Sequence, residues 1–136
     1  MTTDSIQIKR IGDIEDFLNY GLYLLKFKTK IYIGAAWDDT IEERRRGHIN
    51  KSIIGTTPKD KQLRDEGGCE MQVLYKLPKS NISSRKRKKL IRLLEDYLIY
   101  KSGKSIINQL LDVDVVDETL VAYKKIISEY MLNCQY

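Results

Sequence analysis

A small set of side chains in this sequence carries chemistry that packing alone does not demand. Arg44 and His48 stand four residues apart in "DDTIEERRRGHINKS", which reads as a helix over Asp38–Ser52. That spacing puts both on one face, bordering the apolar stripe of Ile41, Ile49 and Ile53. Arginine is a permanent cation whose fork fits a phosphate. His48, the only histidine in the chain, belongs to the one side-chain type that titrates near neutrality unperturbed. Glu95 has Ile91 four residues before it and Ile99 four after, so a carboxylate borders an apolar helix stripe. Such a carboxylate needs a cation or a proton. The plainer readings are a solvated Arg–His pair and a structural salt bridge at Glu95.

Two tyrosines complete the set. In "GLYLLKFKTKIYIG", residues 21–34, apolar runs flank a polar turn and read as a β-hairpin. With Lys28 and Thr29 as a two-residue turn, Leu25 pairs with Tyr32 and Tyr23 with Gly34. Both rings then share one face, and a three-residue turn would flip one strand. Tyrosines, a cation, an imidazole and a carboxylate on one face make an inventory for phosphodiester hydrolysis, although spacing does not bring them together.

The elements that must position these residues are legible as patterns. A short helix fits "IGDIEDFLNYG", and Asp39 or Thr40 can cap the Arg44 helix. "TPKDKQLRDEGG" reads as a shorter helix with an early proline and a glycine stop. "CEMQVLYKL" alternates Cys69, Met71, Val73 and Tyr75 on one face of a third strand. The longest helix signal starts near Ser83 and ends at Gly103. A last helix, Asp117 to Met131, carries Leu120, Tyr123, Ile127 and Tyr130 on one stripe. The order predicts one small α+β domain over residues 1–136.

Composition bounds the function. The chain has 136 residues and a formal net charge of +5. Lys79 to Leu94 holds seven basic residues and no acidic one, while Asp112 to Glu118 holds four acidic residues and no basic one. Clustered basicity suits a polyanion, and a solvated helix face explains it equally well. Cys69 and Cys134 share no metal-ligand or disulfide-framework spacing. With neither an apolar span nor a secretory leader in the pattern, the expectation is a cytoplasmic protein with no membrane partner.

At these residues the chain resembles the GIY-YIG endonuclease family. Gly21-Leu22-Tyr23 matches the first signature with Leu for Ile, and Tyr32-Ile33-Gly34 matches the second unaltered. Arg44, His48, Glu95 in "LLEDYLI" and Asn108 in "KSIINQ" follow in the family's order, and "KQLRDEGG" is similar to its helix before the third strand. The resemblance covers about residues 20–110 and leaves a C-terminal helical extension over about 112–136. It implies a small, mostly antiparallel three-stranded sheet flanked by helices, with an extra C-terminal helix.

The implied activity is hydrolysis of DNA phosphodiesters by a stand-alone restriction or mobile-element type nuclease. One Mg²⁺ or Mn²⁺ would sit at Glu95, and Arg44 would clamp the phosphate. Tyr23, Tyr32 or His48 would handle the proton of the attacking water, and Gly21, Gly34 and Asn108 would support the site. Arg45, Arg85, Lys86, Arg87, Lys88 and Lys89 are the expected contacts to the DNA backbone. The chain departs from many relatives at Ala35, where they carry Ser or Lys, so the role that lysine has in some members would be absent or supplied elsewhere, by Lys26 or Lys30. The residues after Asn108 are too few for the separate DNA-binding domain of homing-type members. The competing reading is a non-catalytic nucleic-acid or protein binding module on the same fold. Either a monomer or a homodimer fits.

Overall fold

The computed structural model describes residues 6–77, 82–103 and 106–133. Lys79, at the head of the expected basic segment, and Cys134 lie outside them. The expected hairpin forms from β2 (Tyr20–Lys26) and β3 (Lys30–Ala36). The Phe27 amide donates to the Lys30 carbonyl at 2.9 Å, closing the two-residue turn at Lys28 and Thr29. Tyr23 is paired with Gly34 and Leu25 with Tyr32, as the turn length requires.

Among the described residues the sheet has five strands, in the order β1-β4-β2-β3-β5, which corrects the expected three-stranded antiparallel sheet. The class is still α+β, but the sheet is mixed. β1 (Gln7–Ile11) runs parallel to β4 (Gly68–Leu77), and β5 (Leu110–Asp112) runs antiparallel to β3. Neither added strand is evident locally. β1 is short and polar on alternate residues, with Ile6 and Ile8 buried and Gln7 and Lys9 exposed. A parallel partner so remote in sequence leaves no hairpin signal.

β4 also departs from simple alternation. Leu22 is opposite Tyr75 but Tyr23 is opposite Val73, so Leu74 is an extra residue and the register shifts. A bulge of this kind re-aims the strand. Met71 lies in the same core cluster as Tyr23, with Cys69 and Val73 packed against that cluster, whereas Tyr75 packs against the opposite core.

The helices divide between the two faces. α2 (Ile41–Ser52) begins with a capping box, in which Thr40 Oγ1 accepts from the Glu43 amide and Glu43 Oε1 accepts from the Thr40 amide. α3 (Pro58–Glu66) is capped by Thr57, begins with proline, and ends at left-handed Gly67. Ile41 and Leu63 bring these helices onto Tyr23, Leu25 and Tyr32. α4 (Ser84–Ser102), capped by Ser83, and α5 (Val116–Asn133) cover the other face. There Ile91, Leu94, Leu98, Leu120 and Ile127 meet Leu22, Leu24, Ile31 and Ile33. α1 (Ile14–Phe17) is a single turn that buries Phe17. No helix among the described residues is long and apolar enough to cross a membrane.

Candidate active site

Both signature glycines answer to geometry. Gly21 has φ +145°, and a Cβ there would come within 1.8 Å of the Tyr75 carbonyl oxygen. Gly34 sits beneath Tyr23, whose hydroxyl would be 2.2 Å from a Cβ at position 34. The missing side chain is what lets the phenol lie flat across β3 and reach α2.

There it meets His48. Tyr23 Oη is 2.6 Å from His48 Nε2, and both rings are buried. Tyr32 approaches the same imidazole edge-on, with ring centroids 5.5 Å apart. On the far side of the imidazole, Lys59 Nζ is 2.8 Å from Nδ1 and 5.4 Å from the centre of the Tyr32 ring. Lys59 also pairs with the buried carboxylate of Asp60 at 3.3 Å. The Tyr32 hydroxyl donates to Asn108 Oδ1 at 3.3 Å. Asn108 has φ +64°, and its amide donates to the Ile33 carbonyl at 2.7 Å, which fixes it at the edge of β3.

Electrostatics follows from burial among cations. Desolvation, then Lys59, Arg44 and Lys51, lower the His48 pKa to about 3, so the ring is neutral near pH 7. Desolvation raises the Tyr23 pKa above that of a free phenol, although Arg44 opposes it. Tyr32 is shifted the same way for the same first reason. Desolvation lowers Lys59, and Asp60 works against that.

Arg44 is half-buried, and its charge is felt at Tyr23. Among the described residues it forms no ion pair within 4.0 Å, and its Nε has no partner. It lines two cavities. One, of about 300 Å³, is bounded by Tyr32, Asp39, Arg44, His48 and Lys59 among others. The second, of about 400 Å³, is bounded by Ala35, Trp37, Asp38, Asp39, Arg44 and Asn108. A guanidinium without an ion pair within 4.0 Å among the described residues, facing two openings, is suited to an anion, with Asp39 on the wall of both as a partial counter-charge.

The fold therefore brings Tyr23, Tyr32, Arg44, His48 and Asn108 together, with Gly34 making room. Glu95 is placed differently. It lies half-buried on α4, whose core residues pack on the other face of the sheet, and neither cavity at Arg44 is lined by it. Desolvation and then Asp96 raise its pKa, and Arg92 lowers it.

The expected DNA contacts split into two groups. Arg45 is held by Glu42 at 2.8 Å and 3.0 Å and by the Ile8 carbonyl at 2.9 Å, so it ties α2 to β1. Arg87 donates to the carbonyls of Trp37 and Ile82 at 2.8 Å and 2.6 Å and stacks over Tyr20. These two arginines hold the fold. Arg85, Lys86 and Lys89 are exposed on α4, and Lys88 lies over the Trp37 ring at 4.7 Å.

Lys59 and Asp39 are site residues that sequence reasoning missed. Asp39 read only as a possible cap. Lys59 had one faint signal, a cation in the first turn of a helix, where the dipole favours acids. No family model matches the chain, and neither a curated protein nor a solved structure matches it.

Proposed function

We propose that this protein is a nuclease that hydrolyses nucleic-acid phosphodiesters, DNA first among them, at the Arg44 cavities. The observation that carries the reading is Arg44 itself: a half-buried guanidinium without an ion pair among the described residues, facing open space beside Tyr32, His48 and Lys59. The resemblance of the two tripeptides, Arg44, His48, Glu95 and Asn108 to the GIY-YIG endonucleases points the same way.

The roles follow from access. Arg44 holds the phosphate and offsets charge that develops in the transition state. Tyr32 lines the cavity and orients the attacking water through its hydroxyl, which Asn108 holds. Tyr23 is fully buried and acts from behind, setting Arg44 and His48. Lys59 adds a second cation at the cavity wall.

The divalent ion that the resemblance implies, Mg²⁺ or Mn²⁺, would be held by Glu95, which lines neither Arg44 cavity, so no step at Arg44 is routed through it. Glu95 suits it as a half-buried carboxylate that forms no hydrogen bond or ion pair among the described residues and whose pKa desolvation raises. A single carboxylate fits an ion that keeps most of its waters. Bound within reach of the phosphate, such an ion would offset charge on the leaving oxygen.

The test is incubation of supercoiled plasmid, single-stranded DNA and RNA with the protein and Mg²⁺, beside Arg44→Ala, Glu95→Ala and an EDTA control. Cleavage that is lost in Arg44→Ala supports the reading. Equal cleavage by wild type and Arg44→Ala would remove it. Equal cleavage by Glu95→Ala would remove the metal assignment alone. Binding without cleavage would favour the non-catalytic module.

A further inference from the structure

The contacts around His48 form a chain: Asp60, Lys59, His48, Tyr23, Arg44. The two contacts of the imidazole are hydrogen bonds, Lys59 and Asp60 form an ion pair, and the identity of Lys59 fixes the direction of both imidazole bonds. Lys59 is largely buried, with 11% of its side chain exposed, and its Nζ pairs with Asp60 Oδ1 at 3.3 Å. That buried carboxylate keeps the lysine an ammonium, which donates and never accepts. Its contact at 2.8 Å with His48 Nδ1 can then be made only if Nδ1 carries a lone pair. A neutral imidazole has one N–H, so the proton sits on Nε2 and points at Tyr23 Oη, 2.6 Å away. The phenol oxygen accepts there, and the charge of Arg44 acts on the same phenol.

We propose that Lys59 is a positioning residue: by donating to Nδ1 it locks His48 as the Nε2–H tautomer and makes the Tyr23 oxygen an acceptor that steadies Arg44. The consequence is an arginine oriented by a neutral phenol rather than by a carboxylate. Its full positive charge remains directed at the cavity. The alternative tautomer would need a neutral Lys59 accepting from Nδ1–H, with Tyr23 donating to Nε2, and Asp60 disfavours it. The tautomer assignment stands on these contacts alone, whereas its effect on catalysis rests on the nuclease reading above.

Because His48 is the only histidine, the tautomer is directly readable. Long-range ¹H–¹⁵N correlation on protein labelled with ¹⁵N-histidine, at neutral pH, assigns the protonated nitrogen from its shift and couplings. Wild type is expected to be Nε2–H. Lys59→Met removes the donor, and the ratio of Nε2–H to Nδ1–H is expected to fall by about tenfold, the size of one charge-assisted hydrogen bond. Lys59→Arg restores a donor and is expected to keep the wild-type tautomer. An Nδ1–H wild type, or an unchanged ratio in folded Lys59→Met, would overturn the proposal. Should Lys59→Met not fold, the wild-type and Lys59→Arg spectra decide it. On cleaved substrate, Lys59→Met is expected to lower kcat with Lys59→Arg restoring it. An effect on KM alone with the tautomer intact would overturn the positioning role and make Lys59 a direct phosphate contact. A protein that cleaves nothing sinks the nuclease reading and leaves the tautomer result to stand or fall by itself.

Discussion

The hydroxyl of Tyr23 lies over the α-carbon of Gly34, its register partner, so closely that a Cβ there would approach it to 2.2 Å. Tyr23 is fully buried and cannot swing away without breaking its contact with His48. Gly34→Ala is therefore expected to destabilise the protein by about 1–3 kcal/mol, the range for overpacking. Urea unfolding monitored by circular dichroism measures this. The same variant should expose the imidazole and raise the His48 pKa toward its ordinary value. A Gly34→Ala protein with wild-type stability and His48 titration would mean that the ring is not held there.

His48 makes stability depend on pH. Its pKa falls from 6.5 to about 3 on folding, through desolvation first and then Lys59, Arg44 and Lys51. The other titratable groups facing it are Tyr23 and Tyr32, both neutral in this range. The unfolded chain binds the proton more tightly. The contribution is thus fully present above pH 6.5 and is lost as pH falls toward about 3. Unfolding free energy measured across this window should decline in wild type and decline less in His48→Gln.

Glu42 provides a second, more acidic window. Its carboxylate takes Arg10 at 2.7 Å and 2.9 Å and Arg45 at 3.0 Å and 2.8 Å. Hydrogen bonds from Arg10 and then Arg45 lower its pKa from 4.5 to about 2. This contribution is complete above pH 4.5 and disappears as pH falls through about 2. Glu42→Gln removes the charge that holds Arg10, a third exposed, and Arg45, which keeps the Ile8 carbonyl. It is expected to cost about 1–3 kcal/mol at neutral pH, the range for charge-assisted hydrogen bonds. Chemical denaturation at pH 7 checks the loss, and a change below about 0.5 kcal/mol would show the pair to be solvated.

Arg44 should behave in the opposite way. Among the described residues it makes no ion pair, and its Nε has no partner, so the fold gains little from it. Arg44→Met is expected to leave thermal stability near wild type while lowering cleavage by about 100-fold or more, as loss of a transition-state cation does. A large stability loss would reassign it to the fold.

On α4 the basic residues should separate by role. Neutralising Arg85, Lys86, Lys88 and Lys89 together is expected to flatten the dependence of log Kd for DNA on log salt by up to about 3–4, one per lost phosphate contact. Fluorescence anisotropy at several salt concentrations measures the slope, and an unchanged slope would place the DNA elsewhere. Arg87→Ala is expected to act on stability instead, because its guanidinium holds the Trp37 and Ile82 carbonyls.

Local pattern was enough for much of this protein. The early Pro58 and the helix start near Ser83 were readable because each feature lies within a few residues of what it stabilises, and the same holds for the glycine stops at Gly67 and Gly103. The hairpin register followed from turn length, since a period of two leaves one choice once the turn is fixed. From that register alone came Tyr23 over Gly34 and the shared face of Tyr23 and Tyr32.

Only the tertiary structure decided the rest. The parallel pairing of β1 with β4 joins segments some 60 residues apart, and no local signal announces such a pairing. The bulge at Leu74 reversed Tyr75 because alternation counts residues and cannot see an unpaired one. Arg45 and Arg87 carry the same charge as their neighbours in sequence. Their structural roles arise from carbonyls and a carboxylate delivered by other elements. Lys59 reached His48 only because α3 docks beside α2 on the same face of the sheet. The sequence supplied the reactive side chains, and three-dimensional packing chose which of them would touch.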